Sequence, residues 1–155
     1  MQHIEEKAYA KINLILNVLG KRPDGFHEVE SVLQALDFYD RVRVGWEPGE
    51  VGLRGSLYRC VEHQMELSIE IRTNSAALST ESDNLVYKAA LLMHETFHSD
   101  CVDRITIDID KKLPIAAGLA GGSADAAAVM KGLAQLWGIW DDKQDEIVQA
   151  GAKIG

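Results

Sequence analysis

Cysteine is nearly absent from this chain, and its scarcity narrows the field first. Only Cys60 and Cys101 occur in 155 residues. They have neither metal-ligand spacing nor a disulfide framework, which suits a reducing cytosol. Apolar runs of membrane-spanning length are missing, and no signal or transit peptide opens the chain, so the expected location is the bacterial-type cytoplasm with no membrane partner. Positive charge is in deficit. The formal net charge of −8 opposes a nucleic-acid surface and any broad polyphosphate surface. Internal repeats, low-complexity tracts and linkers are also lacking. What remains is a globular domain, 46% hydrophobic and long enough to bury a core.

Against that acidic background, one stretch is built for anions. Lys112-Leu113-Pro114-Ile115-Ala116-Ala117-Gly118-Leu119-Ala120-Gly121-Gly122-Ser123-Ala124-Asp125 follows a strand-like run and opens into an alanine-rich helix. Gly118, Gly121 and Gly122 permit close backbone approach and positive φ. Their amides, with the free N–H groups and positive end of the helix, form a phosphate site. Ser123 stands at the loop–helix junction, where its hydroxyl would cap the helix or reach a phosphate-bound metal. Two common nucleotide fingerprints are excluded. No lysine precedes Ser123, as a P-loop requires, and the repeated βαβ pattern of a Rossmann fold is absent.

From Ala8 the even positions read Ala8, Ala10, Ile12, Leu14, Leu16 and Val18, which predicts a strand burying that face. Lys11 and Asn13 then share the opposite face, roughly 7 Å apart. A turn at Lys21-Arg22-Pro23-Asp24-Gly25 leads to Phe26 and His27, an aromatic and a histidine on a loop lip that suit a base. Arg41–Val44 and Leu67–Ile71 read as strands with an irregular stretch from Gly45 to Gly55 between them. Asp83 and Asn84 are caps for a helix striped with Leu85, Val86, Ala89, Leu92, Met93 and Phe97. Ile105, Ile107 and Ile109 mark the strand feeding the phosphate loop. The loop's helix runs to about Trp137, Gly138 ends it, and a last amphipathic helix spans Asp142 to Ala150. The pattern is one α+β domain.

His94-Glu95-Thr96-Phe97-His98 matches the H-E-x-x-H pattern of zinc hydrolases. It lacks a patterned third ligand, with only Cys101 or the distant Glu146 on offer. The two histidines fall at a predicted helix end, where solvated His is common.

Pro114 through Ala124 resembles the phosphate loop of the GHMP kinases, and Ala8-Tyr9-Ala10-Lys11-Ile12-Asn13-Leu14 resembles their first motif. Arg22-Pro23-Asp24-Gly25-Phe26-His27 is similar to the marker of the cytidine-diphosphate-dependent branch, with Phe26 in place of a tyrosine. Ala120 replaces a common Gly, a sterically mild change, and Ala124 replaces a common second Ser, which leaves Ser123 the sole loop hydroxyl. The resemblance implies a two-layer sheet-plus-helices domain like domain 2 of ribosomal protein S5, with residues 1–155 as the N-terminal ATP-binding domain. It implies Lys11 as catalytic lysine, Pro114, Ile115, Ala116, Ala117, Gly118, Leu119, Ala120, Gly121, Gly122, Ser123 and Ala124 as the ATP loop, and Ser123 on Mg²⁺. Lys11, Asn13, Phe26 and His27 would hold the substrate.

The implied reaction moves the γ-phosphoryl group of ATP, with Mg²⁺, to the C2 hydroxyl of a cytidine-diphosphate-linked methylerythritol in the non-mevalonate isoprenoid route. The family's catalytic Asp, in a Gly-Ala-Asp-Val-Pro segment, would follow Gly151-Ala152-Lys153-Ile154-Gly155. The expectation is therefore an inactive N-terminal fragment without the family's C-terminal domain. A small-molecule cytidine diphosphate substrate, no nucleic acid and a homodimer are the partner expectations. Another GHMP small-molecule kinase, a non-catalytic S5-like domain binding RNA or a partner, and the zinc hydrolase stay open as alternatives.

Overall fold

A computed structural model describes residues 1–23, 25–48, 67–99 and 102–154. Along the chain run β1 (Gln2–Lys21), β2 (His27–Pro48), β3 (Leu67–Thr73), α1 (Leu85–Phe97), β4 (Asp103–Asp110), α2 (Gly121–Leu136) and α3 (Trp140–Gly151). The strands form one mixed sheet in the order β1-β2-β4-β3. β4 is antiparallel to β2 and parallel to β3, so α1 is the crossover between the two parallel strands. The result is an α+β domain.

The core lies where the sheet's apolar face meets α1 and α2. Ile105, Ile107 and Ile109 alternate inward from β4 as expected, beside Val42 and Val44 of β2. Val86, Ala89 and Met93 of α1 and Ala126, Val129 and Leu133 of α2 close over them. Asn84 starts α1 as its cap, its side chain accepting the Val86 amide at 2.9 Å. Asp83 instead accepts from the Ser79 hydroxyl. α3 adds Ile147 and Ala150 to the same core, and Gly138 breaks α2 from α3 at a φ of +70°.

Two strand expectations are corrected. The even face of β1 is buried only at Ala8 and Ala10, whereas Leu14, Leu16 and Val18 are more than half exposed. Beyond Ile12, β1 pairs only with the first part of β2, and two of the three register shifts of the β1–β2 pairing fall in this stretch. Alternation records a strand but does not record what covers its face. The irregular stretch expected from Gly45 is strand through Pro48, paired residue by residue with β4. Gly45 serves packing there, because a Cβ at that position would lie 2.4 Å from Thr106 Oγ1. The remainder of that stretch, and Cys60, lie outside the described residues.

Candidate active site

Between the end of β4 and the first turn of α2, the chain folds into the expected small-residue loop. With Leu78, Leu85 and Lys111 it lines an open pocket of about 330 Å³, to which Pro114 through Ser123 all contribute. The loop turns through three left-handed residues, Ala116 at φ +59°, Gly118 at +73° and Ala120 at +60°. Gly121 and Gly122 already belong to the helix. Two expectations change here. Ala120, not Ser123, is the N-cap residue, so Ser123 is free of capping and stands exposed in the first turn. The alanine at 120 is also not mild, because a Cβ in the left-handed region costs about 1–2 kcal/mol.

Lys11 reaches this loop through the backbone. Between Tyr9–Tyr39 and Lys11–Ala35 the ladder slips, with Leu36, Asp37 and Phe38 opposite the single Ala10. Such an irregularity re-aims a strand. Here the Lys11 amide donates to the Leu119 carbonyl at 3.1 Å, joining β1 to the middle of the small-residue loop. Asn13 lies two residues further along the same strand. Phe26, 73% exposed, and His27 stand at the far tip of the ribbon, on the order of 30 Å along the strand from Lys11. The structure thus unites Lys11 with the loop and leaves Phe26 and His27 at the other end of β1.

A buried ion cluster beneath the loop was missed by sequence reading. Lys111 Nζ lies 2.6 Å from Asp40 Oδ2 and 2.7 Å from Asp125 Oδ2, with all three side chains nearly inaccessible. Burial lifts the Asp125 carboxyl to about 6, against the pull of Lys111. Burial alone would depress the Lys111 ammonium, but bonds to Asp125 and Asp40 outweigh it and hold the group above its ordinary value. Asp40 comes from β2, 71 positions before its lysine. No local pattern signals such a pair.

The H-E-x-x-H histidines have a different occupation. His98 Nδ1 lies 2.6 Å from Asp103 Oδ2, and Trp46 donates its indole N–H to Asp103 Oδ1 at 2.7 Å. The His98 ring stacks on Trp137 at 4.5 Å. His94 is 1% exposed and not solvated as expected, because Asp103 brings a buried carboxylate to that helix end. Glu146 is engaged by Lys143 at 3.1 Å, and Cys101 lies outside the described residues. Among the described residues, no group of three or more His, Cys, Asp or Glu is arranged to hold a metal ion. Nor is any helix among them long and apolar enough to cross a membrane.

The small-residue loop thus stands at a helix N-terminus with the Lys11 backbone bonded to it, and residues 84–155 match the family described as the GHMP kinases N terminal domain. That segment is a GHMP kinase N-terminal domain, and the likeness to curated relatives runs over nearly the whole chain. The chain is 41% identical over 149 residues to the 4-diphosphocytidyl-2-C-methyl-D-erythritol kinase of Caldicellulosiruptor saccharolyticus, covering 96% of this chain and 44% of that protein. Its identity to the same-named kinase of a Geobacillus species is 42%, covering 96% and 45%. A crystal structure of 4-(cytidine 5'-diphospho)-2C-methyl-D-erythritol kinase superposes with a TM-score of 0.64 at 28% identity, covering 98% of this chain and 46% of that one. Homoserine kinase from Cytophaga hutchinsonii shares the fold, with a TM-score of 0.65 at 18% identity. The chain spans about half the length of the curated relatives it matches.

Proposed function

We propose that the full-length protein transfers the γ-phosphoryl group of ATP to the C2 hydroxyl of 4-diphosphocytidyl-2-C-methyl-D-erythritol. The observation that carries this reading is the Lys11–Leu119 backbone bond, which seats a lysine-bearing strand against the phosphate loop. In this reading residues Pro114 to Ala124 cradle the triphosphate, through the backbone N–H groups that follow Pro114 and precede Ala124. Lys11 sits beside the acceptor hydroxyl, lowering its pKa and steadying charge on the moving phosphoryl group. Asn13, beside Lys11, faces the cytidyl substrate, and Phe26 and His27 hold its base, Phe26 by stacking without a phenol hydroxyl, once the tip of the β1–β2 ribbon folds back toward the loop from the extended arrangement described above.

For Mg²⁺, the exposed Ser123 hydroxyl fits as one oxygen ligand, with nucleotide phosphates and water as the others. Bound there, the ion would neutralise charge between the β- and γ-phosphates. Asp125 is not placed to take the hydroxyl proton, because one oxygen binds Lys111 and the other is buried. We assign that proton to the Asp of the family's downstream Gly-Ala-Asp-Val-Pro segment.

The test is steady-state kinetics of the full-length protein with ATP and the cytidyl substrate. Lys11→Ala is expected to lower kcat by about 100-fold or more. Phe26→Ala and His27→Ala are expected to raise KM for the cytidyl substrate and leave KM for ATP near wild type. Equal losses for both substrates would make the turn structural, and phosphorylation of an alcohol without a cytidyl group at the same rate would leave only a GHMP kinase.

A further inference from the structure

The ion cluster under the loop is asymmetric. Asp40 uses both carboxylate oxygens. Oδ1 accepts the amides of Lys112 and Leu113 at 2.5 and 2.7 Å, and Oδ2 accepts from Lys111 Nζ at 2.6 Å. Asp125, on the first turns of α2, uses only Oδ2, and its Oδ1 is buried with no partner among the described residues. Lys111 Nζ also lies directly below the loop–helix junction, 3.1 Å from where a Cβ on Gly121 would stand. Its own amide is fixed by Asn74 Oδ1 at 2.8 Å.

These bonds tie the two ends of the loop to one point. The strand end at 112–113 hangs on Asp40, and Lys111 spans from Asp40 to the start of α2. Residues 114–124 form the bight between those ends and line the pocket. We propose that Asp40 and Lys111 are positioning residues that clamp the base of the phosphate loop and so set its affinity for the nucleotide. The inference rests on the nucleotide reading of the loop given above.

Geometry makes opposite demands on two isosteric changes. An asparagine at 40 must turn its NH₂ toward either the Lys111 ammonium or the backbone N–H groups, so two donors face each other. An asparagine at 125 can keep its carbonyl on Lys111 and place its NH₂ where the partnerless oxygen now lies. Breaking the first arrangement leaves buried polar groups unsatisfied, whereas the second leaves every existing bond in place.

In the full-length protein, Asp40→Asn is expected to raise KM for ATP about tenfold or more, with kcat and KM for the cytidyl substrate changed far less. Asp125→Asn is expected to shift KM for ATP by less than about threefold. Should Asp40→Asn fail to fold, Lys111→Met with Asp125→Asn removes the bridge, keeps the Asp40–amide bonds and leaves the cluster's net charge unchanged. It is expected to show the same selective rise. Equal effects from the two isosteric variants, or a lowered melting temperature with KM for ATP intact, overturn the clamp. A wild-type protein that binds no ATP overturns the nucleotide reading itself, and the clamp with it.

Discussion

Ala120 carries a conformation that its side chain resists. At φ +60° it holds the turn into α2 on which the loop's final shape depends. Relief of the left-handed strain by glycine is worth about 1–2 kcal/mol, and the extra freedom of an unfolded glycine returns about 0.4–1 of it. Ala120→Gly is therefore expected to stabilise the protein by about 0.5–1 kcal/mol in urea unfolding, with an unchanged slope. Destabilisation would show that the methyl makes a compensating contact. Single residues were only partly legible in the sequence. The glycine-rich composition announced a loop, but which of Gly118, Ala120 and Gly121 turns left-handed depends on where α2 begins. Ser123 resembled a cap because a hydroxyl before a helix usually is one, yet the helix starts two residues earlier.

Among elements, the β1–β2 ribbon and the inner sheet have the same apolar alternation and different surroundings. Leu16 on the ribbon is 53% exposed, while Ile107 on β4 is fully buried beneath the helices. Ile107→Ala is expected to cost about 2–5 kcal/mol in thermal or urea unfolding. Leu16→Ala is expected to stay within about 0.5 kcal/mol. A loss at Leu16 comparable to that at Ile107 would mean the ribbon is covered in solution. β4, α1, α2 and α3 were legible because each declares itself by period, cap or breaker. The paired strands at either end of β2 were not, since their hydrogen bonds and register slips depend on residues far away in the chain. The slip around Ala10 is the clearest case. It frees the Lys11 amide for Leu119, and nothing in the segment Ala8 to Leu14 announces it.

At the scale of the whole molecule, the anion site proposed for this acidic chain rests on geometry more than on charge. The loop offers amides, a helix terminus and one nearby strand lysine, while the buried cluster under it contains two carboxylates to one ammonium. Motif order along the chain was enough to recognise the family, because each motif is local. The cluster of Asp40, Lys111 and Asp125 was not legible, because it exists only once β2, β4 and α2 have assembled.

The phosphate loop is the centre of the account, and Gly122 tests it most directly. A Cβ there would meet only Leu85 Cδ1, at 3.6 Å, so the fold accommodates a side chain on a residue that lines the pocket. The measurement is calorimetric titration of a non-hydrolysable ATP analogue with Mg²⁺ into full-length wild type and Gly122→Val, with far-UV dichroism of both. The account predicts matching dichroism and an affinity loss of about a hundredfold or more in the variant. Matching dichroism with affinity retained would contradict it, and residues 114–124 would then be a packing loop.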